Sequence, residues 1–137
     1  MKRQLISFLT GLILILCLTQ CGNKNAKNLV GVWQLQQMNI NGAVLSGKSL
    51  GNWLWEFNAV GGYLTDIAGM REKGKYYLKD SVLTLKIMMP KDGPTQVYKI
   101  VKLDSMQLDL FYYENRNRST LHFIKRQVGD VKAEDKD

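Results

Sequence analysis

The sequence predicts an all-β domain, an eight-stranded antiparallel up-and-down barrel, with a two-sheet β-sandwich as the alternative. Three observations predict it. Apolar and polar residues alternate with period two through eight short segments, the mark of strands with one buried face. Turn residues such as Asn41-Gly42, Gly61-Gly62, Lys79-Asp80 and Asp104-Ser105 separate those segments at short intervals. No window keeps a helical spacing of three and four over ten or more residues, so nothing supplies the long crossovers that parallel strands need. A meander of this many strands removes its exposed edges most simply by closing on itself, but the pattern alone does not separate closure from a sandwich.

Residues 30–40 open the series, with Trp33 and Leu35 on one face and Gln34 and Gln36 on the other. The Gly- and Ser-containing link 43–51 has room for a short helix or a lid. Trp53, Trp55 and Phe57 then alternate with Leu54, Glu56 and Asn58, and Tyr63, Thr65 and Ile67 share a face of the third strand. Residues 69–73 read as a loop and 74–78 as a fourth strand. In the fifth, Leu83, Leu85 and Ile87 oppose Thr84 and Lys86. Residues 90–94 form a loop, because neither Pro90 nor Pro94 fits inside a central strand. Residues 95–103 make the sixth strand, and Leu108 and Leu110 alternate with Gln107 and Asp109 in the seventh. A polar hairpin tip at 114–118 leads to the eighth, where Leu121 and Phe123 alternate with His122 and Ile124.

The ends of the chain read differently. Lys2 and Arg3 precede an apolar run over residues 5–18, which is shorter than the roughly 20 helical residues a bilayer core requires. Residues 1–20 therefore read as an export signal and not as a membrane span. The following Leu18-Thr19-Gln20-Cys21 resembles the lipobox of bacterial lipoproteins, although Gln20 stands where that family usually has Gly, Ala or Ser. The resemblance implies cleavage before Cys21, acylation of its thiol and new amino group, and a stable membrane attachment through two or three acyl chains. Gly22 after the Cys is similar to lipoproteins sent to the outer membrane. Lys24 and Lys27 stand where surface-exported lipoproteins of some lineages carry acidic residues, so the periplasmic face is preferred to the cell surface. Residues 21–28 read as a polar tether, 29–126 as the domain, and 127–137 as a charged, disordered tail.

Composition narrows the function. The chain has 137 residues and a formal charge of +7, from 19 Lys and Arg against 12 Asp and Glu. That length suits one domain. Two of the basic residues, Lys2 and Arg3, belong to the signal, and the others are spread thinly, so nucleic acid is not an expected partner. Of the two Cys, Cys17 leaves with the signal and Cys21 carries lipid, so no disulfide is expected. The single His122 alternates with core positions and points outward without a ligand cluster around it, so neither a metal nor another cofactor is expected. Met88-Met89 sit on opposite strand faces, cannot chelate copper together, and read as core filling. No nucleophile elbow, carboxylate pair or glycine-rich phosphate loop is present, and an enzyme is not expected.

Leu29-Val30-Gly31-Val32-Trp33 carries a Gly-x-Trp that resembles the start of the first strand in lipocalins. Trp55-Glu56-Phe57-Asn58 with Gly61-Gly62-Tyr63, then Gly74-Lys75-Tyr76-Tyr77-Leu78 and Val82-Leu83-Thr84-Leu85, are similar to small lipocalin-like domains of bacterial lipoproteins. The closing Leu121-His122-Phe123-Ile124-Lys125-Arg126 fits that family's last strand. The resemblance implies that Trp33 closes the barrel floor and that Arg126 packs on it. The residues alone also allow Arg126 to be an exposed base at a strand end.

Binding is then the expected class of function. An eight-stranded barrel holds either packed side chains or one small ligand. Trp53, Trp55, Phe57, Tyr63, Leu85, Leu110 and Phe123 are the candidates for lining a cup, or else for filling the core. The hairpin residues Tyr112, Tyr113, Arg116 and Arg118 form a candidate partner-binding loop, and Lys73, Lys75, Lys79 and Lys86 a basic face near anionic head groups. Two expectations follow: a small apolar ligand in the barrel mouth, or a filled barrel acting as a protein-interaction accessory of an envelope complex.

Overall fold

The computed structural model describes residues 24–91 and 93–127. The expected signal, Cys21 and the tail beyond Gln127 lie outside the described residues. A short helix α1 (Lys24–Leu29) leads into nine strands: β1 (Gly31–Ile40), β2 (Ala43–Ser46), β3 (Trp53–Phe57), β4 (Gly62–Ile67), β5 (Met70–Lys79), β6 (Val82–Met89), β7 (Thr95–Leu103), β8 (Gln107–Glu114) and β9 (Asn117–Lys125). All pairings are antiparallel, each strand from β3 onward pairs with the next, and β9 returns to pair with β1 from Trp33↔Lys125 to Ile40↔Ser119. The sheet therefore closes, and the sandwich alternative does not form. β2 and β3 lie on the same edge of β1, β2 against Gln37–Ile40 and β3 against Gly31–Gln34, so they act as one interrupted stave and the barrel has eight.

Turn chemistry sets the register. Asn41-Gly42, Ala68-Gly69 and Asn115-Arg116 each join two strands through two residues of positive φ, the backbone whose twist matches that of flanking strands. The Ala68-Gly69 turn lets β5 begin at Met70, so the expected loop 69–73 is largely strand. Link 43–51 holds the strand β2 and a single 3-10 turn at Gly47–Ser49 instead of a lid. The expected tether runs instead into α1, whose last residue, Leu29, is buried in the floor of the barrel.

Three bulges interrupt the period-two pattern. Between Leu35 and Gln37 in β1 the register slips, so Trp33, Leu35, Met38 and Ile40 face inward while Gln36 and Gln37 are both exposed. A slip at Val101 in β7 leaves that residue 64 % exposed. At Lys73/Gly74 the slip lies opposite Met88, and Met88 and Met89 are both exposed instead of filling the core. The core is continuous: Leu29, Trp33, Phe57, Leu83, Leu85, Leu108, Leu110 and Phe123 are all essentially fully buried. Burial of each such side chain contributes about 1.5–3 kcal/mol against the entropy of ordering the chain.

Candidate functional site

The closed end explains why the opposite end is the site. Gly31 has φ +136°, and a Cβ there would lie 2.9 Å from Lys125 Cε, so glycine both permits the turn from α1 into β1 and makes room for the lysine. Trp33 Nε1–H donates to the Leu29 carbonyl at 2.7 Å. Lys125 Nζ donates to the carbonyls of Asn28 at 2.8 Å and Val30 at 2.7 Å, and stands 4.7 Å from the Trp33 ring. The cation over Trp33 is thus Lys125, where Arg126 was expected. Arg126 follows it, with its backbone N–H on the Val32 carbonyl at 2.8 Å. Desolvation holds the Lys125 ammonium below the usual lysine range. Helix, tryptophan and lysine together plug this end.

At the other end the strands stop short of closure around a cup of about 510 Å³, within the range of roughly 300–1,000 Å³ typical of small-molecule sites. Trp53 and Trp55 from β3, Thr65 and Ile67 from β4, Glu72 from β5 and residues 94–98 around the start of β7 form its wall, completed by 112–114 and Leu121. Trp55 separates cup from core. Its ring lies 4.9 Å from Phe123 and 6.2 Å from Phe57 below, and 5.4 Å from Tyr98, which in turn meets Tyr112 at 5.3 Å. Trp55 is 3 % exposed, yet its Nε1–H has no acceptor among the described residues.

Glu72 is the polar centre of the cup. Its Oε1 accepts the Tyr63 hydroxyl at 3.0 Å. Gly74 makes this contact possible: a Cβ there would lie 2.0 Å from the Lys86 carbonyl oxygen and 2.9 Å from Tyr63 Cε1, so only glycine lets the Tyr63 ring lie across β5 toward Glu72. Burial, then the hydrogen bond and charge of Glu72, push the Tyr63 phenol far above its usual range. Tyr98 is pushed up likewise, by burial first and then by Tyr112, Glu72, Tyr63 and Glu114. Its hydroxyl donates to Gln96 Oε1 at 2.7 Å.

Of the seven residues expected to line a cup, Trp53 and Trp55 do. Phe57, Leu85, Leu110 and Phe123 are buried in the packing beneath, and Tyr63 acts through its hydroxyl on Glu72. The expected partner loop divides. Tyr112 and Tyr113 belong to the rim of the cup, Arg116 occupies a positive-φ turn position, and Arg118 lies 5.9 Å from the Phe111 ring on the outer wall. Glu72, Tyr98 and Glu114 were not anticipated as site residues. Continuing the alternation of Gly74, Tyr76 and Leu78 backwards by one step places Glu72 on the inner face.

Outside the barrel, His122 Nδ1 meets Asp109 Oδ1 at 2.5 Å, and Gln107 Nε2–H donates to Asp109 Oδ2 at 2.9 Å. Among the described residues no three His, Cys, Asp or Glu side chains converge as a metal site. Lys73, Lys75, Lys79 and Lys86 are exposed on the outer wall, Lys75 directly opposite Lys86.

Comparison with known proteins agrees with this architecture. The chain is similar to a lipocalin-like protein from Bacteroides uniformis ATCC 8492, at 20 % identity and a TM-score of 0.58, over 72 % of this chain and 99 % of that one. It is equally similar to an uncharacterized protein from Bacteroides eggerthii DSM 20697, at 19 % identity and a TM-score of 0.57, with the same coverage. No curated protein matches it significantly. The family model of the lipocalin-like domain matches residues 29–110, more than half of the sequence and most of the barrel, and the chain belongs to that family.

Proposed function

We propose that this protein is a non-catalytic, lipid-anchored envelope lipoprotein whose barrel binds one small molecule with an apolar body in the cup at its open end. The observation that carries the reading is the division of the interior. The lower barrel is packed with Trp33, Phe57 and Phe123, whereas the upper part encloses a ring-walled cup of about 510 Å³. A module acting only through its outer surface has no need of such a cup, and of the two tyrosines expected to recognise a protein partner Tyr112 lines the cup, while Tyr113 packs on Phe111 at its rim. A small-molecule site is a concave, mainly apolar cavity with a few placed polar groups, and Glu72 and Gln96 supply those groups.

Export and anchoring rest on the segment before the barrel: the apolar run at 5–18 and Cys21 in its lipobox-like setting. With Cys21 acylated, the barrel is held close to the outer membrane, on its periplasmic face. Native mass spectrometry of protein purified from its own host tests the binding role, with a retained small molecule as the expected result and bare polypeptide from every preparation as the opposing one. Cys21→Ser tests the anchor. The variant leaves the membrane fraction and loses its lipid mobility shift; an unchanged distribution refutes acylation.

A further inference from the structure

The chain carries an excess of positive charge, 19 basic against 12 acidic residues, yet the cup wall contains two carboxylates, Glu72 and Glu114, and no Lys, Arg or His. The lysines of β5 and β6 lie on the outer wall, so the charges that line the cavity are both negative. No ion pair among the described residues engages either glutamate. Glu72 faces inward, with Oε1 held by Tyr63, so its charge is fixed in place on the wall.

Around it stand the faces and edges of Trp53, Trp55, Tyr98 and Tyr112, a connected aromatic wall with centroid spacings of 5.3–5.4 Å from Trp55 through Tyr98 to Tyr112. Aromatic faces attract cations and repel anions through their quadrupoles, and they do so more strongly where water is excluded. A cavity bounded by low-dielectric walls also focuses the field of carboxylates at its rim. Trp55, on the same wall, is itself buried, and its Nε1–H has no acceptor among the described residues.

We infer that the cup selects organic cations, with an ammonium seated against Glu72 and the aromatic wall and an apolar body filling the remainder. This deepens the small-molecule reading above and rests on it. A carboxylate of the same shape meets two like charges and the negative faces of the rings, so fatty-acid-like anions are rejected.

The test is calorimetric titration of the purified protein with three probes sharing one alkyl chain: n-octyltrimethylammonium, n-octanol and n-octanoate. The cation is expected to bind about tenfold more tightly than the alcohol, the scale set by a cation–π contact with a nearby charge, and octanoate most weakly. Glu72→Gln keeps an oxygen for the Tyr63 hydroxyl, and it is expected to remove most of the cation's advantage over octanol measured on the same variant. Glu114→Gln, at the exposed rim, gives the same result in smaller measure and serves if the first variant does not fold. Equal binding of cation and alcohol, tightest binding of octanoate, or a cation preference unaltered in both variants overturns the inference and leaves the cup reading intact. Failure of all three probes to bind overturns the cup reading and the inference with it.

Discussion

Trp33 and Trp55 lie directly opposite each other on β1 and β3, and both are buried, at 0 % and 3 % exposure. Their surroundings differ in almost every other respect. The indole N–H of Trp33 has the Leu29 carbonyl at 2.7 Å, and Lys125 stands over its ring with both neighbouring carbonyls engaged. The indole N–H of Trp55 has no acceptor among the described residues, and its ring is the base of a cup with a carboxylate on the wall. A buried aromatic whose polar atoms are all paired by the protein is finished structure. One whose donor is unpaired beside a cavity differs from it in kind. The pair separates the part of the barrel that stabilises it from the part proposed to bind.

That contrast breaks most visibly in Trp33→Ala. Removing the floor tryptophan is expected to cost about 3–5 kcal/mol, the usual range for a buried large aromatic, read as a lowered denaturation midpoint. Loss below 1 kcal/mol would mean the floor does not carry stability. Gly74→Ala is expected to cost about 1–3 kcal/mol as an overpacking change, because its Cβ meets the Lys86 carbonyl, and to weaken cup binding by displacing Tyr63 from Glu72. Binding unchanged in a folded variant would detach Gly74 from the site. A finer comparison sets Trp33→Phe against Trp55→Phe. Both remove similar volume, but only the first removes a satisfied donor and strands a carbonyl, so it is expected to cost about 1 kcal/mol more. Equal costs would contradict the assignment of the two N–H groups.

Alkaline titration followed by phenolate absorbance sharpens the same division. Burial raises Tyr63, Tyr76 and Tyr98 above their unfolded value of 10.0. Their protonated form is favoured in the fold, so the stability they contribute is complete below pH 10 and is lost as pH rises past it. These three are expected to ionise only as the barrel opens. Ionisation of Tyr63 and Tyr98 before any loss of structure would show their surroundings to be open to water.

The alternation of side chains made most of this barrel legible, because a strand with one buried face states its own register. It does not state its bulges. The extra residue at Gln36 or Met88 is chemically ordinary, and only the closure of the sheet forces the slip, so Met88 and Met89 turn outward against expectation. Lys125 over Trp33 was within reach of the pattern: Leu121, Phe123 and Lys125 share one parity, and Arg126 has the other. Glu72 falls within residues 69–73, which the sequence pattern presents as a loop ahead of a strand starting at Gly74. Gly69 is a two-residue turn, whereas Gly74 is a crossing point of two backbones inside the strand. The cup itself depends on which rings pack and which stop short, a question of volume in three dimensions that no spacing of apolar residues contains.

The three tryptophans make the central claim directly measurable, since one lies in the floor and two in the cup. Indole N–H resonances followed by NMR during titration with n-octyltrimethylammonium and n-octanol distinguish them. Shifts of Trp53 and Trp55 with Trp33 unmoved are the predicted result. Shifts at Trp33 as large as those at Trp55, or no shift at any of the three at saturating probe, would contradict a binding cup above a sealed floor.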